Sequence, residues 1–169
     1  MVLLIVISLL VASSFRNIRS ETEIVAGEAD KKFAFSLNEV TLDYIQKVHL
    51  YEVDKKITNG DIIPIDGQCL TGGVGVCKTL TTSIWETDLT NGINVLDDCD
   101  TSYSFNVNET GGTCITPGNI SWRNPHYIIE LFTTEPDGSK IYRVTIKSWG
   151  KSQLTTTTTQ TFFQAGKTK

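Results

Sequence analysis

The stretch MVLLIVISLLVASSF, residues 1–15, opens the chain without a charged side chain, and FAFSLNEVTLDYIQKVHLY, residues 33–51, follows it with helical periodicity. Apolar residues in the second stretch recur every three or four positions, which is the spacing of one helical face. No proline precedes Pro64, and the turn residues Asn59 and Gly60 end the segment. The sequence therefore predicts one long helix over residues 1–53. Its predicted packing stripe is Phe33, Leu37, Val40, Tyr44, Val48 and Tyr51.

The apolar start has two interpretations. As a signal peptide it has an apolar run and the small residues Ala12, Ser13 and Ser14 for cleavage, but no basic residue precedes the run. As a membrane helix it is short, because a span takes roughly 20 apolar residues. Both interpretations lack residues upstream of Met1, so we expect the natural start to lie further upstream.

Composition sets the compartment and the broad class. The net charge of −4 gives no electrostatic footprint for nucleic acid. All four cysteines lie beyond the apolar segment, which suits an oxidising compartment and two disulfides. Four cysteines allow three connectivities, and we expect sequential pairing. The candidates are Cys69 with Cys77, and Cys99 with Cys114.

The second half of the chain has the residue pattern of β-strands. Residues 79–87, 102–107, 127–132, 141–149 and 155–163 are rich in β-branched or alternating residues. Pro136, Asp137 and Gly138 stand between two of these runs and predict a hairpin. We therefore expect an α+β fold in which the long helix covers an antiparallel sheet. The expected divisions are an apolar helix segment (1–20), its amphipathic continuation (21–53) and a β-rich globular domain (54–169).

Six stretches of the sequence form an ordered set of motifs. They are SLLVASSFR (8–16), EIVAG (23–27), DKKFAFSLNE (30–39), GQCLTGGVGVC (67–77), PHYIIE (125–130) and YRVT (142–145) with Gly150, Gln160 and Thr161. Together they resemble PilX-type minor pilins of bacterial type IV pilus assembly. They occur in the family's order across nearly the whole chain. The short basic leader and the acidic residue early in the mature helix are not matched, and the resemblance implies that both lie upstream of Met1.

The resemblance implies a type IV pilin-like fold and a non-catalytic assembly role. Such a protein sits in the bacterial inner membrane by its helix, with the globular domain in the periplasm, and then enters the extracellular pilus. It helps to initiate assembly and forms a tip complex. The implied partners are other minor pilins, the major pilin, a tip adhesin, the inner-membrane assembly machinery and the lipid bilayer, without nucleic acid or a cofactor.

Other functions were weighed on specific residues. A calcium site could form from Glu86, Asp88, Asp97, Asp98 and Asp100, but these lack the spacing of a calcium loop and predict a solvated loop. A zinc site is disfavoured because there is no C-x-x-C and only two histidines occur. His49 and His126 are expected to be structural. A small hydrolase is disfavoured because no nucleophile with a base stands out.

The main alternative is a secreted or periplasmic β-sandwich binding module behind a cleaved signal peptide. Such a module would need no helical stripe after the cleavage site, so the pattern of residues 33–51 counts against it.

Overall fold

A computed structural model describes residues 2–70, 75–78, 94–99, 101–105 and 120–165, with side chains from residue 21 onward. Helix α1 is Val2–Tyr44, a π-helical turn is Ile45–His49, and α2 is Leu50–Asn59. The strands are β1 (Val76–Lys78), β2 (Tyr103–Ser104), β3 (His126–Thr134), β4 (Lys140–Trp149) and β5 (Thr156–Ala165). The chain is thus an α+β protein with one N-terminal helical rod packed on a sheet.

The helical rod extends beyond the sheet. Residues 21–29 are exposed, and Asp30 reaches the sheet region through hydrogen bonds from the backbone of Lys151 and Ser152. At about 1.5 Å per residue, the 43 residues of α1 reach roughly 65 Å. The rod ends at Gly60, whose φ of 79° gives the left-handed cap that glycine adopts without strain. Among the residues described with side chains, no helix has the length and apolar character needed to cross a membrane.

The sheet is mixed, which corrects the expectation of an antiparallel sheet. Its order is β1-β3-β4-β5, and β2 also pairs with β3. β3, β4 and β5 form the expected antiparallel meander, but β1 runs parallel to β3. The Cys69–Cys77 disulfide ties β1 to the segment that precedes it, while the parallel ladder joins β1 to β3.

The predicted hairpin between β3 and β4 is confirmed. Glu135 N–H donates to the Ser139 carbonyl at 2.8 Å, and Gly138 adopts a φ of 84°. Asp137 accepts hydrogen bonds from the backbone and hydroxyl of Ser139. The strand predicted at 79–87 lies outside the described residues, as do residues 106 and 107 of the strand predicted at 102–107.

The main core lies between the second half of the rod and one face of the sheet. Ile45, Leu50 and Val53 of the rod are buried there. They pack against alternate residues of β3 and β4, because only every second side chain of a strand points to one face. These strand residues are Tyr127, Ile129, Tyr142, Val144 and Ile146.

The rod's buried face differs from the predicted stripe. Leu37 is buried and Phe33 and Tyr44 are half-buried, but Val40, Val48 and Tyr51 are 48%, 42% and 71% exposed. The residues that meet the sheet are Ala34, Leu37, Asn38, Thr41, Ile45, Leu50 and Val53.

Two physical causes explain this difference. The sheet surface facing the first part of the rod is hydroxyl-rich, so small and polar residues pack there rather than large apolar ones. The π-helical turn Ile45–His49 contains five residues, so it is wider than an α-helical turn and changes the phase of every later position.

Candidate functional site

A polar seam joins the first part of the rod to the sheet. Asn38, which is 1% exposed, accepts a hydrogen bond from Ser148 Oγ of β4. Its amide donates to Thr159 Oγ1 at 3.0 Å and to the Thr157 carbonyl at 3.3 Å. A single asparagine therefore fixes the rod to two strands, through groups that would be costly to bury without partners.

Asp30 holds the turn between β4 and β5 from the rod. Its carboxylate accepts a hydrogen bond from Lys151 N–H at 2.6 Å and from Ser152 N–H at 3.3 Å. The bond from Lys151 N–H, the largest cause, lowers the pKa of Asp30. A Cβ on Gly150 would lie 2.5 Å from the Asp30 carboxyl group, so glycine allows the rod to approach this closely. We name Asp30, Gly150 and residues 151–152 the clasp.

An aromatic cluster supports the π-helical turn. Tyr127 Oη lies 2.6 Å from His49 Nδ1, and the His49 ring centroid lies 4.8 Å from that of Tyr103. Tyr44 packs on Phe105 at 4.7 Å. Burial lowers the pKa of His49, and burial raises the pKa of Tyr127. A neutral His49 therefore accepts the hydrogen bond that Tyr127 donates, which agrees with the structural role expected for this histidine.

The opposite face of the sheet carries a buried ion pair. Arg143 Nε and Nη2 donate to the two oxygens of Glu130 at 2.8 and 2.9 Å. The Glu130 side chain is 0% exposed and that of Arg143 is 9% exposed. Phe132 lies beneath the Arg143 guanidinium at 5.5 Å and packs edge-on against Phe162 at 5.4 Å. The sequence motifs contained both charged residues, but nothing in them indicated that they pair.

His126 and Ser102 do not form a catalytic pair. His126 Nδ1 lies 2.8 Å from the Leu96 carbonyl, so this nitrogen carries the proton and donates. Ser102 Oγ lies 3.0 Å from the same nitrogen and donates to the Asp98 carbonyl at 2.6 Å. Because Nδ1 is protonated, it cannot accept the hydroxyl proton as a base. His126 is fully buried, in agreement with a structural role.

Asp97 and Asp98 of the candidate calcium site bind other side chains of the protein. Asp97 accepts two hydrogen bonds of 2.7 Å from Lys147 Nζ, and Asp98 accepts one from Thr101 Oγ1 at 3.0 Å. No group of three or more metal-ligating side chains occurs among the described residues. Glu86, Asp88 and Asp100 lie outside those residues.

The first predicted disulfide is present. Cys69 and Cys77 are bonded, with their Cα atoms 4.0 Å apart, and they form an isolated antiparallel bridge with each other. Cys99 is also disulfide-bonded. Its expected partner, Cys114, lies outside the described residues.

One flank of the rod is left open beside the sheet. Val40, Val48 and Tyr51 lie exposed along it, although all three are apolar or aromatic. Nearer the N-terminus, a groove of about 740 Å³ lies between residues 26–33 and residues 151–155. Small side chains, Ala26 and Ala29, line its helical wall. We call Phe33, Val40, Val48 and Tyr51 the open flank.

The comparisons with family models, curated proteins and solved structures found no match for this chain.

Proposed function

We propose that this chain is a minor pilin, a non-catalytic component that helps to initiate assembly of the type IV pilus. In this proposal it forms the tip complex with other minor pilins and contacts the major pilin, a tip adhesin and the assembly machinery. Its helix anchors it in the bacterial inner membrane, and its head faces the periplasm before it enters the extracellular fibre. The family resemblance in the sequence is the starting point.

The observation that carries the proposal is the excess length of the rod. Asp30 is hydrogen-bonded to the turn between β4 and β5, and residues 21–29 before it are exposed, whereas α1 begins at Val2. At about 1.5 Å per residue, this leaves roughly 40 Å of helix beyond the clasp. Residues 1–15 of that projection are uncharged. A projecting apolar helix suits a lipid bilayer or a bundle of similar helices, because both surroundings are equally apolar.

The open flank supports the same proposal. Tyr51 is 71% exposed and Val40 is 48% exposed on a helix whose opposite face is fully packed. Apolar side chains grouped on an exposed helical surface are typical of a site that meets another protein. In the proposed fibre, the open flank meets neighbouring subunits while the polar seam and the main core hold the head to its own rod.

The β-sandwich binding module stays a prediction. The two proposals differ in the mature N-terminus, because a cleaved signal peptide would be removed and a pilin helix retained. N-terminal sequencing of the purified protein distinguishes them. A mature chain that begins at or after Phe15 and dissolves without detergent would support the binding module.

Deletion of the gene tests the assembly role. We expect the deletion strain to lose most surface pili, and a plasmid copy of the wild-type gene to restore them. Tyr51→Glu should fail to restore them, because it places a charge on the open flank. Gln46→Glu is the matched control: Gln46 is exposed on the same rod but lies outside the open flank.

The two variants also separate assembly from folding. Both sites are exposed, so we expect each variant to unfold within about 0.5 kcal/mol of wild type. Normal pilus number in the deletion strain would overturn the proposal.

A further inference from the structure

β5 forms an open edge of the sheet. All ten of its residues pair in register with β4, without a bulge. On its other side, β5 pairs with no strand in the described part of the chain. Its side chains alternate between exposed and half-buried, and Phe162 is 52% exposed. The Thr157 carbonyl accepts a hydrogen bond from Asn38, and the outward backbone N–H and C=O groups of β5 have no strand partner among the described residues.

β5 lacks the features that prevent an edge strand from pairing with another chain. Protected edges carry lysine, proline, inward-pointing charge or a bulge. Residues 155–165, TTTTTQTFFQA, contain no charged residue and no proline. An edge of this kind takes up another extended strand, because only extended backbone pairs with successive groups along a strand.

The β5 sequence is complementary to itself in the antiparallel direction. When two copies are aligned with Gln160 opposite Gln160, Phe162 lies opposite the other copy's Thr158, and Phe163 lies opposite Thr157. Thr159 then lies opposite Thr161. Aromatic with β-branched residues and threonine with threonine are favourable cross-strand pairs. Because β5 carries no charge, it does not repel the β5 of a second copy electrostatically. It also does not favour a partner strand of opposite charge.

We propose that two copies of this chain pair through β5, antiparallel and centred on Gln160, into a symmetric dimer with one continuous sheet. The two rods then lie on the same face of that sheet and run in opposite directions. This arrangement differs from the parallel packing of helices in the proposed fibre. The inference therefore goes beyond the assembly role and does not depend on it.

Charged substitutions at Gln160 test this pairing. The full chain is purified in a density-matched detergent, and its dimer dissociation constant is measured by sedimentation equilibrium. Gln160→Lys and Gln160→Glu each place like charges opposite each other at the two-fold axis. Each variant alone should raise the dissociation constant roughly tenfold or more. An equimolar mixture of the two should restore dimers, because opposite charges then meet.

Gln46→Lys and Gln46→Glu are the matched controls, since they make the same changes at an exposed site on the rod. They should leave the dissociation constant unchanged. A wild-type chain that stays monomeric across the concentration range would overturn the proposal. So would a dimer that is indifferent to both Gln160 charges, or a mixture that fails to restore it.

Discussion

Glu130 and Arg143 form a buried ion pair on the face of the sheet opposite the main core. Glu130→Gln leaves the buried guanidinium without its carboxylate, so we expect the free energy of unfolding to fall by about 3–5 kcal/mol. Urea denaturation of the oxidised chain measures this loss. Replacing both residues by methionine should recover much of it, because the desolvation cost of both charges disappears.

Asp43 with Lys47 is the exposed counterpart of this pair, at 2.7 Å on the rod. Asp43→Asn should cost at most about 0.5 kcal/mol, since exposed pairs on helices contribute little. Equal losses for Glu130→Gln and Asp43→Asn would contradict the role given to burial.

The clasp makes the free energy of unfolding depend on pH in the acid range. Because the pKa of Asp30 is lower in the folded state, its contribution to stability is present above its unfolded pKa. That contribution is lost as the pH falls through the folded pKa. We therefore expect Asp30→Asn to flatten the decline of stability below about pH 4, measured by urea denaturation at several pH values. An unchanged acid profile would count against the clasp.

Gly150→Ala tests the clasp sterically. The added Cβ would lie 2.5 Å from the Asp30 carboxyl group, so that side chain must turn away and give up its hydrogen bonds to the turn. We expect a loss of about 1–3 kcal/mol. The same change in an Asp30→Ala background should cost clearly less, because the obstructing carboxylate is gone. Additive losses in this double-mutant cycle would contradict the proposed contact.

Sequence reasoning failed at the polar seam for a definable reason. Ala34, Asn38, Thr41 and Ile45 recur at helical spacing, one position after each of the first four members of the predicted stripe. A search for large apolar residues passes over asparagine and threonine, although both are buried here. Only the hydroxyl-rich surface of β4 and β5 explains their burial, and that surface exists only after the sheet has formed.

At the scale of elements, the π-helical turn sets the relation between the two halves of the rod. Insertion of one alanine after Gln46 would place Leu50 six positions after Ile45, a spacing that turns α2 by about 100° relative to α1. Leu50 and Val53 would then leave the core, or Asn38 would leave the seam. We expect a loss of at least about 3 kcal/mol in urea denaturation, as for large core truncations. Gln46→Ala, which keeps the length, should change stability by less than about 0.5 kcal/mol.

The disulfide between Cys69 and Cys77 supports the parallel strand β1. Replacing both residues by serine removes the constraint on a short loop, and we expect a loss of about 2–3 kcal/mol. Hydrogen exchange should rise first at Ile129 N–H, which donates to the Gly75 carbonyl at 2.6 Å beside β1. Unchanged protection at Ile129 would show that β1 holds without the disulfide.

Elements with strong local signals were predictable, and those defined by distant contacts were not. Pro136, Asp137 and Gly138 indicated the β3–β4 hairpin, and the β-branched run indicated β5. The three-residue β1 depends on a loop closed by a disulfide and on a partner far along the chain, so no local pattern revealed it. The π-helical turn has no periodic signature in the sequence either.

For the whole molecule, the account rests on a rod that exceeds its own sheet and leaves one flank open. The main core, polar seam and clasp hold the sheet region to its own rod, so the apolar helix beyond the clasp is available to other subunits. From the proposed role we expect a low copy number, because a protein that starts a fibre does not fill it.

The most direct measurement is the protein content of the fibre. Surface pili are sheared from cells that express the wild-type chain, washed, and analysed by quantitative mass spectrometry. The account predicts peptides of this chain in the fibre fraction, at a small fraction of the main subunit, and their loss with Tyr51→Glu but not with Gln46→Glu. A wild-type chain that is exported and stable, yet absent from the fibres, would contradict it.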